Sequence, residues 1–234
     1  MVTILSVFAA FWVVREAQDY SILSADLPTI EGLPQMMEPP AWHLGQPTRL
    51  LDRSGEHVVL VLENPRTRPA RYLPLEEIPE IIIQAVLSAK DAAFWEHNGY
   101  SDNNRATLAT RLVSTVLLGQ SSGSGAATPR QNLLANQITQ EYGQERVLAW
   151  FLNSANFGQL AYGIDAAAWA YFNKSAVELN LGEAAMLAAI LDAPTLNPID
   201  APQLAIERQN HVLQAMRDQG YISPEEAKKA NSRP

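Results

Sequence analysis

The chain of 234 residues contains no cysteine. That excludes disulfides, thiolate nucleophiles and cysteine metal ligands, and it leaves the redox compartment unreadable. S-x-x-K occurs nowhere, so no serine nucleophile of that pattern can be assigned. Positive charge is scarce: 17 Lys and Arg stand against 25 Asp and Glu, a formal net charge of -8. This balance argues against a nucleic-acid partner, whose phosphates would need basic patches, and gives no general attraction to anionic lipid. No uncharged apolar run reaches the roughly 20 residues that a helix needs to span a bilayer. Apolar residues are plentiful, at 47% hydrophobic against 18% charged. That suits a full core and one sizeable domain with extras.

Residues 1–16 hold an apolar run, Val2 to Val14, closed by Arg15-Glu16. It has the length of a signal-peptide core but lacks a preceding basic residue and a clear cleavage site. A truncated membrane anchor and a buried first helix are the other two readings. Residues 17–74 read as a linker with a β-hairpin. Leu27-Pro28, Leu33-Pro34 and Pro39-Pro40 predict extended chain over Asp26 to Gln46. Two β-prone runs, Thr48 to Leu51 and His57 to Leu62, flank the turn Asp52-Arg53-Ser54-Gly55. From Leu75 the period is helical. Ile81, Ile82, Ala85, Val86 and Ala89 form one apolar face, and further helices are predicted over 105–118, 129–142, 144–154, 164–171, 181–191, 202–218 and 224–231. Only Gly119 to Ala127 is of low complexity.

The most informative segment is Ala89-Lys90-Asp91-Ala92-Ala93-Phe94-Trp95-Glu96-His97-Asn98-Gly99. It resembles the first signature of the family 51 glycosyltransferases, E-D-x-x-F-x-x-H-x-G, with Lys90 where the leading Glu stands. The resemblance continues through Tyr142 to Asn153, similar to the fourth motif, K-x-x-I-L-x-x-Y-L-N. It goes on through Asn156-Phe157-Gly158 and Ala161 to Ala168, and ends at Arg208 to Leu213, similar to the fifth motif, R-x-x-x-V-L. It implies a mainly α, lysozyme-like, two-lobed domain over residues 75–234 that follows the hairpin. The segment between His97 and Thr107 is shorter than the family's, which implies a reduced membrane-facing lobe.

The activity implied is polymerisation of lipid II into peptidoglycan glycan strands at the extracytoplasmic face of the cell membrane. Lipid II, the nascent strand, the membrane and other cell-wall synthases are the implied partners, and the resemblance leaves room for Mg2+ or another divalent cation. Such chemistry needs a carboxylate to take the acceptor hydroxyl's proton and cations to stabilise the departing diphosphate. By the same resemblance both carboxylates are replaced, the first by Lys90 and the second, counted back from Asn153, by Gln131. The cation pair of the third motif falls on Ala127-Thr128, and the fourth-motif Lys is Gln144. The second motif, S-T-x-T-Q-Q, falls on Ala106 to Arg111 and keeps Thr107; a second register puts it on Ala127 to Asn132.

An ordinary lysine titrates near about 10.4 and is almost wholly ammonium at neutral pH, a poor base. Asp91 and Glu96 are therefore the substitute carboxylates to consider. Phe94, His97, Thr107, Arg111, Arg130, Asn153 and Arg208 occupy positions from which the resemblance implies substrate binding. Simpler readings accompany several of these. Asp91 pairs at a helix end, and His97 is structural. Thr128 to Gln131 forms a capping box, Glu183 favours a helix start, and Arg208 forms an ion pair beside Glu207. The expectation is a family 51 domain impaired in catalysis, or a non-catalytic lipid II, glycan or synthase-binding module.

Overall fold

A computed structural model of the chain describes residues 24–40, 42, 48–62, 71–103, 105–120, 126–191 and 193–231. The apolar run of residues 1–16, and residues 121–125 of the Gly/Ser tract, lie outside the described residues. The described elements are α1 (Leu33–Met37), β1 (Thr48–Leu51), β2 (Val58–Leu62), α2 (Glu80–Lys90), α3 (Leu108–Val116), α4 (Pro129–Tyr142), α5 (Gln144–Ser154), α6 (Ile164–Phe172), α7 (Leu181–Ile190), α8 (Pro202–Asp218) and α9 (Pro224–Asn231).

The fold is mainly helical, with the hairpin ahead of it as the sequence predicts. The helix α7, LGEAAMLAAI, is apolar almost all round and is buried along nearly its whole length, as a central helix must be. Both α2 and α8 pack against it, while α3 packs on α4 and α5. Leu108, Ile138, Trp150, Phe157 and Leu187 join these two groups in one hydrophobic core. Helix starts follow local chemistry. Thr107, Thr128 and Asn180 each form a capping box with the residue three positions on: Thr110, Gln131 and Glu183. Glu183 also pairs with Lys174 at 2.7 Å. The third helix starts at Leu108 rather than 105 because Arg105 is taken up in an isolated bridge to Ala126.

The strands β1 and β2 pair antiparallel, with an irregularity at Leu50/Leu51, and every residue of both is exposed. The turn is held by Asp52, whose Oδ1 accepts from Ser54 Oγ at 2.6 Å.

The Pro-rich stretch departs from the extended linker that its composition predicts. Residues 33–37 are helical, and Leu33 and Met37, one turn apart, lie in the main core with Leu73. Tyr142 Oη donates to Ile30 O at 2.8 Å, and Arg130 donates to the carbonyls of Ala25 and Asp26 at 3.1 and 3.0 Å. Arg146 grips Glu38 with two bonds, 2.5 and 2.7 Å, beneath which Trp150 Nε1 donates to the same carboxylate at 2.8 Å. The folded unit therefore includes residues 24–40, and position 75 is no boundary of the core. Two apolar anchors among five prolines and glycines give no readable period, because the tertiary face of α4 and α5, not local propensity, folds the segment.

Two outcomes follow. Met37→Ala removes a fully buried side chain and should cost about 2–5 kcal/mol in urea unfolding, against nearly nothing for a true linker position. Arg146, with Trp150 adding to it, holds the Glu38 carboxyl below its ordinary value. A depressed carboxyl stabilises the fold above its unfolded value and loses that contribution as pH falls through the folded one. Glu38→Gln should therefore lower thermal stability at pH 7 and converge with the unsubstituted chain in acid, as read by a series of thermal melts.

Candidate active-site cavity and its surroundings

The first signature sits where α2 ends. Lys90 closes the helix, and Asp91, with φ -158 and ψ 68, leaves helical geometry while its N–H still donates to Leu87 O at 2.8 Å. The chain then makes a short 3₁₀ turn over Phe94–Glu96, pinned by Phe94, which is buried in the core. The Asp91 carboxylate is also buried. Its Oδ1 accepts from His97 Nε2 at 2.8 Å and its Oδ2 from the backbone N–H of Leu108 at 2.9 Å. Because His97 Nδ1 accepts from Gly99 N at 3.2 Å, the hydrogen belongs on Nε2. Gly99, at φ +87, admits no side chain: a Cβ would lie 2.3 Å from Ala135 O and 2.4 Å from Thr139 Oγ1. Thr107 Oγ1 closes the loop by donating to Gly99 O at 2.6 Å.

This frame walls a cavity of about 600 Å3 lined by Lys90, Asp91, His97, Arg105, Thr107 and Arg111, among others. Three cations and one carboxylate thus face it, and the carboxylate already accepts two hydrogen bonds. Lys90, Asp91, His97, Thr107 and Arg111 are brought together here. Arg105 joins them unforeseen; its signal was a basic residue directly ahead of the second motif.

The other predicted site residues lie elsewhere. Glu96 is exposed and does not line the cavity. Phe94 is a core residue, edge-on to Trp95 and His97. Gln131 spends its side chain on the frame: Oε1 accepts from Thr128 N at 2.7 Å, and Nε2 donates to Ser114 Oγ at 2.8 Å and Gln120 Oε1 at 3.2 Å. Arg130 holds residues 25 and 26, as described. Asn153 is buried and pairs with both backbone groups of Leu73 at 2.8 Å, with a third bond to Ala149 O at 2.9 Å. It fixes the preceding segment rather than the following turn. The Nε of Arg208 donates to Ala189 O at 3.1 Å, a helix-end contact where the sequence suggested pairing with Glu207. Gln144, at the fourth-motif Lys position, donates from Nε2 to the carbonyls of Phe94 and His97 at 2.9 and 2.8 Å. It braces the signature loop from behind.

Among the described residues no group of three or more His, Asp or Glu could hold a metal. The carboxylate of the cavity is engaged on both oxygens and flanked by cations that would repel Mg2+.

The sequence profile of the Transglycosylase family matches residues 105–217. Penicillin-binding protein 1A of Vibrio cholerae serotype O1 is 32% identical over 237 residues, covering 92% of this chain and 27% of that protein. Penicillin-binding protein 1A of Aquifex aeolicus is 33% identical over 181 residues, covering 70% and 25%. Penicillin-binding protein 1F of Bacillus subtilis is 30% identical over 204 residues, covering 80% and 28%. The crystal structure of penicillin-binding protein 1A from Haemophilus influenzae superposes with a TM-score of 0.50 and 26% identity, over 82% of this chain and 21% of that one. The chain thus spans about a quarter of the length of these relatives.

If Asp91 is a structural junction, Asp91→Asn turns an amide N–H toward one of two donors. It should cost about 1–3 kcal/mol in chemical denaturation, with loss of amide-exchange protection at Leu108.

Proposed function

Because the chain belongs, through its transglycosylase domain, to glycosyltransferase family 51, we propose that it binds the diphosphate of lipid II or of a nascent glycan strand without polymerising it. The site is the cavity lined by Lys90, Arg105 and Arg111. The observation that carries this reading is the state of Asp91. A general base needs a lone pair within hydrogen-bond reach of the proton it takes. Among the described residues lining the cavity, Asp91 is the carboxylate; each oxygen is tied to the frame by one accepted bond, which leaves a lone pair on each, and Lys90, Arg105 and Arg111 line the same cavity. Lys90 brings a positive charge to the base position, and Gln131 is bound into a capping box. Three cations to one tethered carboxylate suit retention of a diphosphate, since charge-assisted bonds to phosphate oxygens are strong ones.

The family relationship and the apolar run of residues 2–14 support a place at the extracytoplasmic face of the cell membrane. Among the described residues no helix is long and apolar enough to cross a membrane. A synthase-scaffolding role is the second reading, favoured by one feature. The hairpin exposes Leu50, Leu51 and Val58 through Leu62, an apolar surface of the kind that marks protein contacts.

The test is incubation of labelled lipid II with the unmodified chain and with a Lys90→Glu, Gln131→Glu double variant. The unmodified chain should bind lipid II and release no glycan polymer. Arg105→Gln should weaken that binding about tenfold, in keeping with loss of one charge-assisted bond. Polymer from the unmodified chain would defeat the non-catalytic reading, and failure to bind lipid II would defeat the binding one.

A further inference from the structure

Among the described residues, Trp42 and Trp150 are buried and Trp169 is partly so, while Trp95 is 47% exposed. An indole carries one of the largest apolar surfaces a side chain can offer and is mostly buried on average. This one is also held in place. Its ring stands edge-on to Phe94, with centroids 4.8 Å apart, and Phe94 is fixed in the core. Indole surface is thus presented to solvent at a set position.

The direction of that surface follows from the turn. Phe94 N donates to Asp91 O at 3.0 Å and Glu96 N to Ala93 O at 2.8 Å, the three-residue bonds of a 3₁₀ turn. On such a turn, side chains three positions apart lie one above the other. The rings of Phe94 and His97, 6.1 Å apart, show that spacing. By the same spacing Trp95 stands over Ala92 and Glu96 over Ala93, and both alanines line the cavity of about 600 Å3. Trp95 and Glu96 are therefore part of its rim, and Asn98, also exposed, follows on the same loop.

An aromatic surface beside a carboxylate and a carboxamide matches a sugar ring. The apolar C–H face of a pyranose packs on the indole, while its hydroxyls, donors and acceptors at once, pair with the polar groups. A bilayer matches less well. Seating Trp95 in lipid would draw the Glu96 carboxylate in with it, and a chain of formal charge -8 gains nothing from anionic headgroups.

We propose that Trp95 is the platform for the sugar joined to the diphosphate, with Glu96 and Asn98 taking the sugar's polar groups. The rim then selects glycosylated carriers over bare ones. This role of Trp95 rests on the diphosphate reading of the cavity and adds to it a specificity that the cations alone cannot give, since they see the same diphosphate in both.

Binding to the full chain in detergent micelles, followed by calorimetry and tryptophan fluorescence, tests the platform. The probes are lipid II, a polyprenyl diphosphate without sugar, and a soluble peptidoglycan disaccharide. Trp95→Ala should weaken lipid II about tenfold and the sugar-free carrier less than twofold. Trp95→Phe should recover part of that loss, and both variants should keep the thermal midpoint, because the ring is half exposed. Arg105→Gln should weaken both carriers alike. Equal weakening of the two carriers by Trp95→Ala overturns the proposal, as does lipid II affinity that Trp95→Ala leaves intact. A Trp95→Ala loss seen only as weaker adsorption to phosphatidylglycerol vesicles without lipid II assigns the ring to the bilayer and overturns it too. Failure of both carriers to bind the unsubstituted chain removes the diphosphate reading, and the disaccharide then decides the platform by itself. Quenching of indole emission that is absent in Trp95→Phe upholds it; no such quenching overturns it.

Discussion

The buried carboxylate of Asp91 joins two helix ends of opposite polarity, and the cavity depends on that junction. Its own N–H satisfies a carbonyl at the end of α2, where the helix field is negative, while its Oδ2 receives the first N–H of α3, where the field is positive. Its Oδ1 fixes His97, which in turn fixes Gly99. One side chain thereby sets the angle between α2 and α3, the path of the signature loop and the position of Lys90.

The substitutions that separate this chain from the motifs it resembles are integrated into the fold. Gln131 closes a capping box and reaches Ser114 and Gln120, and Gln144 holds two carbonyls of the signature loop. An amide can donate and accept at once, which a carboxylate or an ammonium cannot. Both side chains act as neutral struts. The frame around the cavity is thus maintained in part by uncharged amides. Cationic character is instead concentrated on Lys90, Arg105 and Arg111.

Much of this was legible in the sequence, and the exceptions share a cause. Helices from Pro129 onward were readable to within a residue or two, because Pro, Thr, Asn and Gly mark their ends and apolar period marks their faces. Residues spaced closely in the signature, such as Lys90, Asp91 and His97, could be grouped by local geometry alone. What sequence could not give was pairing over long separations. Asn153 with Leu73, Arg130 with Ala25 and Asp26, and Arg146 with Glu38 each join residues some 80 to 108 positions apart. Such contacts leave no periodic trace, so Asn153 and Arg130 looked like site residues.

The last turn of α2 is a partition with an ammonium group embedded in it. The cavity lined by Asp91 and Thr107 and a smaller one lined by Ala189 and His211 both border Lys90 and share the field of that charge. An anion drawn to one side of Lys90 lowers the potential available on the other, and thermodynamic linkage makes the penalty equal in both directions. A change of charge at this one position would therefore be felt on both faces of the last turn of α2 at once.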